Sequence, residues 1–88
     1  MPELRLTRQA KEQLQALPNG VREAVLDTLA LIQLEPEAMG KKLVGRMKGL
    51  WAARVGSYRV LYTVEPAGVI VRSIRHRSVV YRPRRRRR

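Results

Sequence analysis

The chain has 88 residues, no cysteine, one histidine and seven carboxylates, set against 19 lysines and arginines, for a net charge of +12. That length predicts one small domain with a modest core. The composition excludes disulfides and thiolate metal sites, and no metal or cofactor is expected. No apolar run reaches about 18 residues, and no short apolar stretch follows an N-terminal basic cluster. Neither a membrane span nor a secretory signal is therefore read, and the default location is the cytoplasm. Six arginines stand at positions 82 and 84–88, and removing them still leaves +6. A basic fold with a basic end favours a polyanionic partner: nucleic acid, the ribosome or an acidic protein.

Pro2–Leu6 alternates apolar and polar residues, which predicts a short first strand. Thr7 reads as an N-cap. Behind it Ala10, Leu14 and Leu17 recur at helical spacing, with Arg8, Lys11, Glu12 and Gln15 on the other side. Pro18-Asn19-Gly20 is expected to break that helix. A second amphipathic run follows, its stripe formed by Val21, Val25, Leu29 and Ile32 and widened by Ala24 and Leu26, and Pro36 marks its end. The two helices form a helical hairpin. Residues 37–49 read as a glycine-bearing loop carrying Lys41, Lys42, Arg46 and Lys48, with Leu43 as its anchor.

Leu50–Val55 and Tyr58–Glu65 are β-branched and aromatic runs around Gly56-Ser57, the signature of a two-residue hairpin with glycine first. Alternation puts Trp51, Ala53, Val55, Tyr58, Val60, Tyr62 and Val64 on one apolar face. The other face carries Leu50, Ala52, Arg54, Arg59, Leu61 and Thr63, with Arg54 directly opposite Arg59. Like charges so placed repel, which predicts an anion between them, because arginine grips phosphate in a planar fork. Pro66-Ala67-Gly68 turns into a last strand, Val69–His76. With Glu65 opposite Gly68, an unbroken register sets Val71 against Tyr62 and Ile74 against Arg59. It puts Arg72 and His76 on the face of Arg54 and Arg59; a one-residue bulge would reverse this. The expected fold is therefore α+β: an antiparallel sheet of about four strands in the order β-α-α-β-β-β, with two N-terminal helices packed on one face. One domain spans residues 1–81. The arginine-rich segment 82–88 is a block of like charge, expected to be disordered and to add sequence-independent affinity.

There is no paired-carboxylate site, no Ser-His-Asp pattern and no phosphate-binding glycine loop. Instead Arg54, Arg59, His76, Arg77 and Tyr81 converge on one end of the sheet. Lys41, Lys42, Arg46, Lys48, Arg72 and Arg75 are the further substrate-binding cations. This set suits internal transesterification of RNA, in which the ribose 2′-OH attacks the adjacent phosphorus and no metal is obligatory. Arginines would stabilise the phosphorane, His76 would move a proton, and Tyr81 would stack on a base or donate to phosphate. From the residues alone the reading is binding of RNA or another polyanion, with cleavage as a further step.

The order strand, two helices, basic loop, three strands resembles the RelE/ParE superfamily of bacterial and archaeal type II toxins. The specific echoes are Leu17-Pro18, Pro36, Lys42-Leu43 with Gly45, Arg54-Val55-Gly56-Ser57-Tyr58-Arg59-Val60-Leu61-Tyr62, and His76-Arg77 followed by Val80-Tyr81. They cover almost the whole chain except the tail and favour the RelE-like branch. The resemblance implies a ribosome-dependent mRNA endoribonuclease neutralised by a cognate acidic, RelB-like antitoxin. It implies functional roles for Arg54, Arg59, Arg77 or Arg75, and Tyr81. Where some relatives have a lysine two residues before position 54, this chain has Ala52. Arg54 cannot accept a proton as a lysine there could, which shifts acid–base work to His76 or to the ribosome and substrate. The alternatives are a ParE-like inhibitor of DNA gyrase and a non-catalytic ribosome or RNA binder.

Overall fold

Residues 3–43 and 49–79 are described by the structure, a computed structural model. Arg46, Lys48, Tyr81 and the arginine-rich tail lie outside the described residues. Five strands form one sheet: β1 (Glu3–Leu6), β2 (Lys41–Lys42), β3 (Trp51–Val55), β4 (Tyr58–Glu65) and β5 (Gly68–His76), in the order β1-β5-β4-β3-β2. Neighbours are antiparallel except β1, which runs parallel to β5. At Gly68 the two backbones approach so closely that a Cβ would overlap the carbonyl of Glu3.

The helices are α1 (Arg8–Gln15), α2 (Asn19–Leu34) and α3 (Pro36–Met39). Thr7 caps α1 as expected, its Oγ1 accepting from the Ala10 N–H at 3.1 Å. Asn19 and Gly20 do not lie in a break but open α2; the interruption is Ala16–Pro18. Pro18 stands at the N-cap with φ −58°, and its carbonyl accepts from the Arg22 N–H at 2.8 Å. The segment read as a loop holds α3 and β2, which brings the sheet from the expected four strands to five. Pro36, lacking an N–H and fixed in φ, ends α2 and starts α3. Lys41 and Lys42 then pair with Ala52 and Trp51, and the Leu43 N–H extends that ladder to the Leu50 carbonyl at 2.8 Å.

Ala10, Leu17, Val25, Leu29 and Ile32 meet Ala53, Val60, Tyr62, Val69, Val71 and Ile74 in one core between the helices and one face of the sheet. Neither Ala24 nor Leu26 widens the stripe: both are exposed, Leu26 by 46 %, because each is turned about 100° from Val25. The hairpin forms as expected, with Val55 opposite Tyr58 and Arg54 opposite Arg59.

The register of β5 departs from the unbroken reading. Tyr62 pairs with Val71, but Leu61 pairs with Ser73, so Arg72 is an extra residue in a β-bulge. Ile74 therefore faces Val60 in the core instead of Arg59, and it is Arg75 that stands opposite Arg59. The physical reason is burial: strict alternation would have turned Ser73 into the core and an isoleucine into solvent, a loss of about 2 kcal/mol or more. Helix α1 satisfies the bulge. Thr7 Oγ1 donates to the Arg72 carbonyl at 3.0 Å, the Thr7 N–H donates to the Val71 carbonyl at 3.0 Å, and Gln13 Oε1 accepts from the Ile74 N–H at 2.7 Å. No helix among the described residues is long and apolar enough to cross a membrane.

Candidate functional site: a row of arginines

The bulge and the hairpin together put Arg54, Arg59 and Arg75 in one cross-strand row on the sheet face opposite the helices. Side chains so paired start roughly 5 Å apart. Arg54 is exposed and the other two are half-buried. The Nε of Arg75 is buried with no hydrogen-bond partner among the described residues. A guanidinium keeps its proton at any working pH. The row can therefore neutralise and hydrogen-bond an anion but cannot act as a base. Leu61 and Ser73 lie buried on the same face beside it.

Lys41, opposite Ala52, shares this face. It helps line an open cleft of about 590 Å³ with Ala38, Met39, Gly40, Leu43, Ala52, Ala53, Arg54 and Arg59. Lys42 does not join the row. It pairs with Trp51, and its Nζ lies 5.6 Å from the indole centroid, a cation–π contact on the helix side of the sheet. Arg72 is on the open face, but its Nε donates to Thr63 Oγ1 at 3.2 Å and its guanidinium lies 3.7 Å from the Glu65 carboxylate.

His76 is the clearest relocation. The bulge turns it to the helix side, opposite Tyr58, with the two rings edge to face at 5.1 Å. It shares a shallow recess there with Gly20, Val21 and Ala24 of α2. Its Nδ1 accepts from the Ser78 N–H at 3.1 Å and lies 2.9 Å from Ser78 Oγ. An imidazole so used holds the turn at residues 76–79, where the Val79 N–H also returns to the His76 carbonyl at 2.9 Å. Arg77 is exposed in this turn, its N–H donating to the Ser57 carbonyl at 2.7 Å.

Charge is divided between the layers. Five of the seven carboxylates (Glu12, Glu23, Asp27, Glu35 and Glu37) lie on or between the helices. Glu3 and Glu65 lie on the sheet beside Arg5 and Arg72. The arginine row thus faces away from most of the negative charge. Sequence reasoning missed Gln13 as a support of the site, and it read Thr7 only as a helix cap and Tyr62 only as a core residue. Tyr62 is wholly buried and donates from Oη to the Pro36 carbonyl at 2.5 Å. Burial pushes its phenol up to about 12. The legible signal for Gln13 was a polar residue three positions after Ala10, on the apolar side of its helix.

Helices on one face of a small sheet and a row of arginines on the other define a basic α+β domain built to present cations to an anion. A family model described as the ParE toxin of type II toxin–antitoxin system, parDE, matches residues 4–81. The chain is 33% identical over 82 residues to the toxin RelG of Mycobacterium tuberculosis (strain ATCC 25618 / H37Rv), covering 90% of this chain and 94% of that protein. Its fold is similar to a chain of the toxin–antitoxin complex RelBE2 from Mycobacterium tuberculosis, with a TM-score of 0.80 and 30% identity over 86% of this chain and 99% of that one. It is also similar to a chain of the archaeal RelE–RelB complex from Pyrococcus horikoshii OT3, with a TM-score of 0.73 and 26% identity over 90% of this chain and 98% of that one. The chain belongs to the RelE/ParE family and is a toxin of a type II toxin–antitoxin system.

Proposed function

We propose that this toxin is a RelE-like endoribonuclease that cuts mRNA on the ribosome, in the cytoplasm, and is silenced by an acidic RelB-like antitoxin. The observation that carries this reading is the cross-strand row Arg54, Arg59 and Arg75. In the reaction the ribose 2′-oxygen forms a bond to phosphorus and the bond from phosphorus to the 5′-oxygen breaks. A 2′,3′-cyclic phosphate and a 5′-hydroxyl result. The three guanidiniums stabilise the extra charge of the phosphorane, a type of contact worth roughly 3 kcal/mol for one donor. None of them takes the 2′-OH proton. With His76 on the other face, the proton leaves to, and the 5′-oxygen is protonated from, groups of the substrate and ribosome. His76 and Arg77 act as positioning residues that hold the end of β5, and Tyr81 stacks on a base. Lys41, Arg46, Lys48 and Arg72 extend the cationic track along the RNA.

The antitoxin reading rests on the RelB–RelE complexes among the relatives. It rests also on the exposed cations Arg54 and Arg72 of the face away from the helices, which suit an acidic segment; Leu61, read from the sequence as part of that surface, is buried. The test is cleavage of an mRNA during translation in a purified system, read by primer extension, alongside gyrase supercoiling. Cleavage that requires the ribosome supports the reading. Gyrase inhibition without RNA cleavage moves the protein to the alternative reading, a ParE-like gyrase inhibitor.

A further inference from the structure

The cleft between α3 and the outer edge of β3 has features that neither the core nor the arginine row requires. No residue of α3 is buried, yet the helix is clamped to the sheet. Tyr62 Oη donates to the Pro36 carbonyl, and Gly40 sits so close that a Cβ would lie 2.5 Å from that hydroxyl and 2.8 Å from the Ala52 carbonyl oxygen. One wall of the cleft is thus fixed. The other wall is an incomplete strand edge. β2 pairs only with Trp51 and Ala52, so among the described residues Ala53–Val55 has no strand on its outer side. In a two-residue hairpin the pair next to the turn, Val55 and Tyr58, exchanges its backbone hydrogen bonds. The N–H and C=O of Arg54 therefore point outward, in phase with Leu50, whose carbonyl accepts from Leu43 on that side.

We infer that this cleft is a nucleobase slot. It rests on the RNA reading above and adds how one nucleotide beside the scissile phosphate is recognised. The base packs against Ala38, Met39, Leu43 and Ala52, its edge meets the one outward donor and one outward acceptor of Arg54, and the guanidiniums of Arg54 and Arg59 hold the attached phosphate. The volume, about 590 Å³, falls in the range of small-ligand sites. A peptide strand is the poorer occupant. Strand addition needs a run of free backbone pairs, and among the described residues the edge offers one, between β2 and the turn at Gly56.

The test uses the full chain and two measurements. Cleavage is mapped on an mRNA with randomised codons for wild type, Arg59→Ala and Ala38→Trp; Ala38 is exposed, so the indole fills the cleft and leaves the core alone. Ala38→Trp is expected to lower cleavage at preferred codons at least tenfold and to flatten the preference, whereas Arg59→Ala lowers all codons alike. Amide shifts of the wild type are followed with uncleavable 2′-O-methyl trinucleotides and an abasic control. The amides of Arg54 and of Met39–Lys41 are expected to move with the base-bearing oligonucleotides and not with the abasic one. Ala38→Leu and the wild-type titration decide the matter if Ala38→Trp does not fold. An unchanged codon profile with unmoved amides overturns the slot while RNA cleavage stands. A wild type that neither binds nor cuts RNA overturns both. Movement of these amides by an antitoxin peptide and not by RNA assigns the cleft to the partner and overturns the slot.

Discussion

Replacing Gln13 by alanine tests whether α1 holds the bulge that builds the arginine row. Gln13 Oε1 accepts from the Ile74 N–H at 2.7 Å, and Ile74 is 3 % exposed. Alanine leaves that N–H without a partner, at a cost of about 1–3 kcal/mol. The better helix propensity of alanine returns only a few tenths of that. The expected loss is about 2 kcal/mol from a total of about 4–13 kcal/mol for a domain of this size. That corresponds to a fall in Tm of roughly 8–16 °C. Urea unfolding followed by the fluorescence of Trp51, the one tryptophan of the chain, should show a lower midpoint at an unchanged slope. Gln13→Glu keeps an acceptor oxygen and should recover most of the loss at neutral pH. Because Ile74 precedes Arg75, the folded Gln13→Ala protein should also cleave RNA more slowly while touching no substrate. An alanine variant within about 0.5 kcal/mol of wild type would refute the argument that this bond supports the register.

Arg59→Ala and Arg75→Ala should each slow single-turnover cleavage about a hundredfold with the fold retained, and wild-type rates in either would remove the row from the reaction. Tyr62→Phe should lower stability by about 1–2 kcal/mol. It should also abolish one alkaline transition. The phenol, raised to about 12 in the fold from about 10 when unfolded, gives stability that is complete below pH 10 and lost as pH rises towards 12. In wild type that loss amounts to less than about 3 kcal/mol, and the denaturation midpoint of Tyr62→Phe should not follow it over the same range. His76→Asn keeps a side-chain acceptor for the Ser78 N–H and should retain most activity, whereas His76→Ala should lose it; equal rates in the two would show that the turn needs no such acceptor. Deleting residues 84–88 should weaken RNA binding at every sequence and flatten its salt dependence, and a changed cleavage pattern would show that the tail reads the substrate.

Much of the architecture was legible along the chain because it is local. The Gly56-Ser57 turn set the hairpin register, so the opposition of Arg54 and Arg59 followed from a two-residue loop and period-2 alternation. Thr7 announced its cap, and Val25, Leu29 and Ile32 announced their stripe. The basic motifs were enough to suggest the family. Three things were decided only in three dimensions. The bulge at Arg72 depends on the choice between burying Ile74 or Ser73, and on polar groups of α1 that stand more than sixty residues away in sequence. That choice moved His76 off the arginine face and brought Arg75 onto it. The short pairing of Lys41–Lys42 with β3, and the clamp of Tyr62 on Pro36, carry no pattern long enough to read, since two residues have no periodicity. Sequence alone thus determined which side chains alternate and which charges the protein carries. The tertiary structure decided which charges meet, because a single inserted residue exchanges the faces of everything after it.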